Sequence, residues 1–375
     1  MQKKLAIASL VLALVAITGS AAAHASPWRA DQAQLLRQLV AAAPEDALPV
    51  LETTALDSAL RLGPGPALDT AADALALRLA GMHLLGHSGA SQKAGWHIPD
   101  SDEQTDLQAA LRQAIAADTL ARFLSELRPA HGDYAALRAA YARETDAGRR
   151  AVIAKNMERW RWMPRLLGED HLLINAPFFE ARLTRRGKPD RTWRVVVGKA
   201  STPTPVFVTQ ITGVNLNPFW NIPASIVREK GGRFPASQGY VHSNGQWRQK
   251  PGPGNALGQM KLIMPNPYSV YVHDTPSKQL FSRETRAFSH GCVRIDDAVG
   301  FATVLLEGSK TSADVASAVS AGKTVSFDLA RPIPVYLAYF TAAPAPDGTI
   351  AFRPDIYRRD GKIASAQKTG ESCSA

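Results

Sequence analysis

The amino-acid sequence predicts an α+β protein, with a helical N-terminal part followed by a part built of short strands. Up to about residue 150 the chain is rich in Ala and Leu, and its apolar residues recur at the spacing of a helix face. From about residue 170 the pattern becomes that of strands, and Gly and Pro recur every few residues. A length of 375 residues allows about two domains.

In the first part, three groups of apolar residues each predict one buried helix face. A sharp break at Gly63-Pro64-Gly65-Pro66 and a second at Arg128-Pro129 end helices. The faces are Leu75, Leu79 and Met82; Leu120, Phe123, Leu124 and Leu127; and Tyr134, Leu137 and Tyr141.

The segment Asn156 to Pro164 holds two tryptophans, Trp160 and Trp162, among arginines. A platform for stacking sugars is one interpretation. Tryptophans where a helical part meets a β part are more often buried at a domain junction, so we favour packing.

In the second part, the apolar runs predict strands separated by turns, and residues 221 to 253 form an irregular stretch that we interpret as a flap over a site. Asp296 or Asp297 can cap a helix that buries Val299, Ala302 and Leu306. The predicted strands are Leu172 to Leu183, Trp193 to Val197, Lys261 to Met264, Ser269 to Val272, Val325 to Leu329 and Val335 to Phe340.

The N-terminus predicts a secretory signal peptide over residues 1–25. Lys3 and Lys4 precede an uncharged apolar run from Leu5 to Ile17, and small residues around Ala23-His24-Ala25 fit a cleavage site. The run is short for a membrane span. We therefore expect an exported protein of the periplasm without a stable membrane span.

The formal net charge of +10 suits a polyanionic partner. For an exported protein, peptidoglycan carboxylates and anionic lipid are nearer partners than nucleic acid, and no nucleic-acid motif occurs. Of the two cysteines, Cys373 lies in a polar C-terminal tail, which we interpret as incidental.

The other cysteine, Cys292, lies in Ser289-His290-Gly291-Cys292-Val293-Arg294. A thiol nucleophile needs a base and donors for the oxyanion. His273 and His290 each offer a base, and the residues alone do not separate them. Backbone N–H groups of Gly291 and Cys292, with His290 as a further candidate, would hold the oxyanion. The start of a helix near Asp296 would favour the thiolate.

The signature from His273 to Arg294 resembles that of the L,D-transpeptidase family, which has a YkuD-type catalytic domain. The likeness covers roughly residues 110 to 340 and is strongest to the larger periplasmic, YcbB-like branch. Further segments that carry it are Asn156 to Pro164, Val197-Gly198-Lys199, Asn217-Pro218-Phe219-Trp220, Pro253 to Gly258 and His273-Asp274-Thr275-Pro276. Larger relatives usually carry a peptidoglycan-binding module between the scaffold helices and this junction. Here only Glu144 to Val152 separates the last predicted scaffold helix from Asn156, so we expect the module to be missing.

The resemblance implies a mostly β catalytic domain at 156–345, with the flap at about 221–253, behind a helical scaffold at 26–155. Residues 346–375 would be a C-terminal extension and polar tail. Cys292 would be the nucleophile and His273 the general base, with His290 and Gly291 shaping the loop or the oxyanion hole. No cofactor is implied.

Arg294 lies two residues past the nucleophile, on the same side of an extended segment. It can bind a stem-peptide carboxylate, or pair with Asp296 or Asp297; the resemblance favours the substrate. We expect Tyr271, Ser289 and Trp220 to bind substrate too, although packing is an equal alternative for Trp220.

The expected activity is acyl transfer from a tetrapeptide donor stem that forms 3–3 cross-links in the cell wall. Attachment or release of a wall-linked lipoprotein, L,D-carboxypeptidase activity and an inactive wall-binding scaffold are the alternatives. Peptidoglycan stem peptides are the expected partners, with penicillin-binding or outer-membrane proteins as further candidates and carbapenems as inhibitors.

His83 and His87 lie four residues apart, a spacing that can hold a metal on a helix. The glutamate of a His-Glu-x-x-His site is missing between them. We therefore interpret both as surface or packing histidines and predict no metal.

Overall fold

The computed structural model describes residues 27–363. The predicted signal peptide and Cys373 lie outside this range. Among the described residues, no helix combines the length and apolar character needed to cross a membrane. The first part is helical as predicted, with helices α1 (Ala30–Ala41), α2 (Thr54–Leu62), α3 (Pro66–Leu85), α4 (Leu107–Ala116), α5 (Leu120–Glu126), α6 (Gly132–Arg143) and α7 (Ala147–Trp160).

Helices α1 to α5 enclose a core of their own. The first two predicted faces are directed into it: Phe123 is partly buried against this core, and the other residues of these two faces are buried. The third face, on α6, is buried in the core that the sheet builds. The break at Gly63-Pro64-Gly65-Pro66 separates α2 from α3. The helical part of the prediction is confirmed.

Helices α6 and α7 pack against the sheet instead of joining the first helical core. Tyr134 and Leu137 of α6 and Met157 of α7 belong to the core that the sheet builds. The boundary expected at 155/156 therefore falls inside α7. Arg143 ends α6 and Ala147 begins α7, so only a short connection separates the two helices.

The second part is built around one large sheet. Its strand order is β1-β5-β13-β2-β3-β4-β12-β10-β9, and β11 pairs with β4. Because β9 also pairs with β5, the strands from β5 to β9 close into a ring. The ring strands and β1 and β11 are β1 (Trp96–His97), β2 (His171–Asn175), β3 (Glu180–Arg185), β4 (Lys188–Gly198), β5 (Val206–Leu216), β9 (Met260–Ile263), β10 (Val272–His273), β11 (Ala287–Ser289), β12 (Val293–Ile295) and β13 (Val325–Ala338).

Three expected strands differ from the structure: one is divided into two strands, and the other two are joined into one. The stretch Leu172 to Leu183 is two antiparallel strands, β2 and β3, joined by a turn in which Phe179 has a φ of 54°. The two strands expected after residue 325 are one long strand, β13, whose register against β5 shifts between Asp328 and Ile333. Because the apolar runs of β2 and β3 look continuous in the sequence, the turn between these two strands is not visible there.

The tryptophans of the junction are packing residues, as favoured from the sequence. Trp160 is 2% exposed and stacks on Phe340, with ring centroids 4.6 Å apart. Trp162 is also buried and meets Trp96 edge-on at 5.3 Å. Trp96 comes from β1, so the junction also anchors the segment after α3 to the sheet.

The predicted flap is an excursion between β5 and β9 with structure of its own. It contains α8 (Ala224–Glu229) and a small sheet of order β6-β8-β7. Its strands are β6 (Trp220–Asn221), β7 (Tyr240–Ser243) and β8 (Gln246–Gln249).

After the site, the chain forms helices α9 (Ala298–Leu305) and α10 (Ser312–Ser320), then β13 and the hairpin of β14 (Ala342–Pro344) and β15 (Ile350–Phe352). As expected, Asp297 caps α9, with its side chain accepting from the Gly300 N–H. Residues 346–363, expected to be an extension, pack on the domain. Ile363 is 4% exposed, and Arg159 forms a 2.6 Å ion pair with Asp360.

Candidate active site

The site lies where β9, β10 and β12 run side by side. In the parallel pair β10–β12, His273 is opposite Arg294, and on the other side of β10 it is opposite Lys261. Side chains two positions apart on a strand share a face. Tyr271, His273, Cys292, Arg294 and Lys261 therefore form one cluster on one face of the sheet.

His273 is buried and held in one orientation by its neighbour. Its Nδ1 hydrogen-bonds to the backbone carbonyl oxygen of Asp274. A carbonyl only accepts, so Nδ1 carries the proton and Nε2 keeps a free lone pair. Burial, followed by the positive charge of Arg294, lowers the pKa of His273 to about 3. The imidazole is therefore neutral at pH 7 and able to accept a proton.

The carboxylate of Asp274 does not orient His273 and has other partners. Its carboxylate accepts from the Gln259 N–H at 2.9 Å and pairs with Lys278. Gly258, with a φ of +60°, lies so close that an added Cβ would meet the Asp274 carboxyl group at 2.3 Å. Asp274 thus fastens the turn before β9, and the orienting group for His273 is a backbone carbonyl.

Cys292 is partly exposed, and its sulfur neighbours Ser269 and Tyr271. The thiol lies 3.9 Å from the Ser269 carbonyl oxygen. Burial raises the pKa of the Cys292 thiol, while hydrogen bonds from Tyr271 and the charges of Lys261 and Arg294 favour the thiolate. The resting site holds a neutral thiol beside a neutral imidazole.

The prediction that a helix dipole favours the Cys292 thiolate is wrong. The strand β12 separates Cys292 from α9, which begins only at Ala298. The field of a helix end is confined to about its first turn, so it does not reach the sulfur.

The turn before Cys292 is shaped by Ser289 and Gly291. The Ser289 hydroxyl accepts from the Gly291 N–H at 3.0 Å and donates to the Cys292 carbonyl at 2.5 Å. Ser289 is 2% exposed, so its hydroxyl serves the turn and the expectation that it binds substrate has no support here. Gly291 has a φ of +111°, which other residues rarely adopt.

These contacts correct the expected set of oxyanion donors. The Gly291 N–H already donates to Ser289. Within residues 27–363 the Cys292 N–H donates to no acceptor, which leaves it available to an oxyanion at the attacked carbonyl.

Arg294 has no acidic partner among the described residues. Asp296 pairs with Arg194 at 2.5 Å, and Asp297 caps α9, so the alternative of a local salt bridge is wrong. The buried Nε of Arg294 lacks a hydrogen-bond partner. Lys261 also forms no ion pair within this part of the chain, and its ammonium group lies 4.2 Å from the centre of the Tyr271 ring. Two unpaired cations therefore flank the thiol.

Comparisons with known proteins identify the domains of this chain. Residues 169–315 match the family model of the L,D-transpeptidase catalytic domain (YkuD), and residues 18–140 match that of the Scaffold domain. The chain contains an L,D-transpeptidase catalytic domain. Both the recognised family and the α+β fold class expected from the sequence are confirmed.

A curated Haemophilus influenzae protein named "Putative L,D-transpeptidase" is 30% identical over 244 residues, which cover 57% of this chain and 49% of that protein. The chain thus spans about half the length of the curated relative that it matches.

Two solved mycobacterial L,D-transpeptidases are also similar in part. The Mycobacterium smegmatis enzyme is 14% identical, with 45% of this chain and 58% of that chain covered and a TM-score of 0.26. L,D-transpeptidase 3 of Mycobacterium tuberculosis is also 14% identical, with 45% of this chain and 61% of that chain covered and a TM-score of 0.27. At these scores the superpositions carry no weight for the fold.

A groove of about 550 Å³ runs beside the cysteine of the L,D-transpeptidase domain. Trp220 and Tyr271 line it, as expected from the sequence, together with Lys261 and Ser269, which also neighbour Cys292. Phe219 adds an aromatic surface at its margin and is 36% exposed. The groove is thus open and partly aromatic, and it shares Lys261, Ser269 and Tyr271 with the surroundings of Cys292, which does not itself line it.

His290 has a different place from His273. Its Nε2 lies 3.1 Å from Glu229 Oε2, at the end of α8 in the flap, and both side chains are exposed. This contact brings the flap against the turn before Cys292.

His83 lies in α3 and His87 just after it, and both pack as favoured from the sequence. His83 is 3% exposed, and His87 Nδ1 contacts Glu158 Oε2 at 2.8 Å.

Lys261 and Thr204 were missed from the sequence. Lys261 lies opposite His273, and the Thr204 hydroxyl donates to the Gly291 carbonyl oxygen. An isolated Lys in a strand and a Thr among prolines carry no motif, and only the strand register and the folded loop bring them to Cys292.

Proposed function

We propose that this protein is an L,D-transpeptidase that transfers peptidoglycan stem peptides through Cys292. The observation that carries the proposal is the cluster on one sheet face. The Cys292 thiol shares that face with a neutral histidine whose Nε2 has no hydrogen-bond partner among the described residues, and with two cations that form no ion pair within residues 27–363. An open groove lined by Lys261 and Tyr271 lies beside this cluster.

In the first step, His273 Nε2 takes the proton of the Cys292 thiol while the sulfur attacks a carbonyl carbon of the donor stem. The oxyanion that forms accepts from the Cys292 N–H. The C–N bond to the terminal D-amino acid then breaks, and His273 returns the proton to the departing amine. A thioester on Cys292 remains.

In the second step, an amine of another stem attacks the thioester carbon. His273 takes a proton from this amine, the C–S bond breaks, and the thiolate recovers the proton. With the side-chain amine of diaminopimelate as acceptor, the product is a 3–3 cross-link. With water as acceptor, the outcome is carboxypeptidase activity.

Arg294 and Lys261 suit the carboxylates of a stem peptide. A carboxylate entering this face finds a guanidinium and an ammonium group without competing acids, and charge-assisted hydrogen bonds are the stronger ones. The neutral peptide bond to be cleaved lies next to such carboxylates in a stem. The cations therefore position the donor rather than take part in proton transfer.

The proposed compartment is the periplasm, reached through the signal peptide at residues 1–25. The net charge of +10 suits an anionic wall. Carbapenems are proposed as inhibitors because their strained lactam carbonyl acylates the nucleophile of this family. Penicillin-binding and outer-membrane proteins stay candidates for partners.

Incubation of the mature protein with a purified diaminopimelate tetrapeptide muropeptide tests the activity. The proposal expects a cross-linked dimer with loss of one D-alanine, detected by mass spectrometry, and none with Cys292→Ser. A lipoprotein C-terminal peptide, added as a second acceptor, separates wall cross-linking from lipoprotein attachment. The proposed activity is wrong if three products are all missing: the cross-linked dimer, the stem joined to the lipoprotein peptide, and the stem shortened by one D-alanine.

A further inference from the structure

The loop of residues 199–204 forms hydrogen bonds with the turn before Cys292. The Lys199 N–H donates to the Ser289 carbonyl at 2.9 Å, and the Thr202 hydroxyl donates to the same oxygen at 3.2 Å. Gly198, just before the loop, allows the close approach: an added Cβ would lie 2.2 Å from the Thr202 carbonyl oxygen. The loop is therefore part of the site's support.

Thr204 makes the contact nearest to the chemistry. It is 2% exposed, and its hydroxyl donates to the Gly291 carbonyl oxygen at 2.9 Å. The same oxygen atom of Thr204 accepts from the Gly198 N–H at 2.9 Å, which directs its proton toward Gly291. The hydroxyl is thus fixed from both sides.

The Gly291 carbonyl and the Cys292 N–H belong to one peptide unit. None of the described peptide bonds is cis, so these two groups point in opposite directions. A carbonyl held against Thr204 turns the Cys292 N–H away from the loop. As described above, the Cys292 N–H donates to no acceptor within residues 27–363.

A second residue holds Thr204 from the C-terminal segment. The Tyr357 hydroxyl donates to the Gly198 carbonyl at 2.5 Å and accepts from the Thr204 N–H at 3.3 Å. Tyr357 itself stacks on Tyr339, with centroids 5.5 Å apart. The segment after β15 thus reaches the oxyanion donor through a chain of two residues.

We infer that Thr204 is a positioning residue that aims the Cys292 N–H at the oxyanion, with Tyr357 as its support. This inference rests on the proposed function, because an oxyanion forms only when Cys292 attacks a carbonyl. A donor fixed before the reaction stabilises the developing charge without reorganisation, and its loss costs rate rather than binding.

The test compares two reactions of the same thiol. Acylation by meropenem passes through an oxyanion, whereas alkylation by iodoacetamide displaces iodide and forms none. For Thr204→Val we expect the acylation rate constant at saturating meropenem to fall by about tenfold or more, with alkylation within about twofold of wild type. Thr204→Ser keeps the hydroxyl and should restore most of the acylation rate.

An equal loss in both reactions would mean that Thr204 supports only the fold or the thiol, and unchanged acylation would also overturn the inference. If Thr204→Val does not fold, Tyr357→Phe replaces it. Slower acylation with unchanged alkylation supports the inference, and two unchanged rates contradict it. A wild-type protein that alkylates but never acylates would instead refute the proposed function, so the two failures are distinct.

Discussion

His273 stands directly opposite Arg294 in the parallel pair β10–β12, on the face that also carries Cys292. The guanidinium charge adds to burial in lowering the pKa of His273 to about 3. The His273 imidazole is therefore unprotonated at neutral pH. The same cation favours a thiolate on Cys292 and is free to bind an anion.

The two histidines of the signature should differ in their effect. His273→Gln removes the proton acceptor, and we expect meropenem acylation to slow by roughly a hundredfold or more. His290→Gln removes only an exposed contact with Glu229, so we expect a change of less than about tenfold. Stopped-flow or mass-resolved acylation rates check both variants. A larger loss for His290→Gln would reverse the assignment of the base.

Replacing Arg294 should weaken donor recognition. For Arg294→Gln we expect kcat/KM toward a tetrapeptide stem to fall roughly ten- to a hundredfold, since charge-assisted hydrogen bonds to substrate are lost. Most of the change should lie in KM. Arg194→Gln is the matched control, because its ion pair with Asp296 is exposed and lies on the neighbouring strand β4. Equal effects of both substitutions would show that Arg294 has no special role.

Acid should destabilise the fold through buried neutral histidines. Burial lowers the pKa of His83 to about 3, well below the value near 6.5 in an unfolded chain. Because the unfolded state binds the proton first, stability is lost as the pH falls from about 6.5 toward 3. Between pH 7 and pH 5, His83 should account for about 2 kcal/mol of this loss.

Urea unfolding of wild type and His83→Gln at both pH values measures this contribution. The variant should be less stable than wild type at pH 7 and lose less stability on acidification. His97→Gln is the control, since His97 is exposed in β1. If wild type and His83→Gln lose the same free energy between pH 7 and pH 5, His83 does not titrate as argued.

Patterns within the chain predicted much of the fold. The helix faces at Leu75, Leu120 and Tyr134 could be recognised because local periodicity and burial coincide there. The prediction of strand ends was wrong where a turn, such as that at Phe179, lies between two apolar runs. The closed ring of strands depends on β9 pairing with β5, a long-range contact with no local signal.

At the site, residue types and spacing suggested candidates for the chemistry but not their hydrogen-bond partners. Cys292 and His273 were predicted as nucleophile and base because their spacing resembles that of a family, and these roles stay predictions. The hydroxyl of Ser289 and the N–H of Gly291 were misassigned, since the sequence does not show that they bond to each other. Thr204 and Lys261 reach the cysteine only through the loop and the strand register.

Intact-mass analysis with meropenem tests the central claim, that Cys292 is an acyl-accepting nucleophile, most directly. Wild-type protein and Cys292→Ala are incubated in parallel, and thiol titration confirms that Cys292 is reduced. The account predicts one stoichiometric adduct on wild type and none on Cys292→Ala. A wild-type protein with a free Cys292 thiol and no adduct would contradict the account and leave an inactive wall-binding scaffold as the better interpretation.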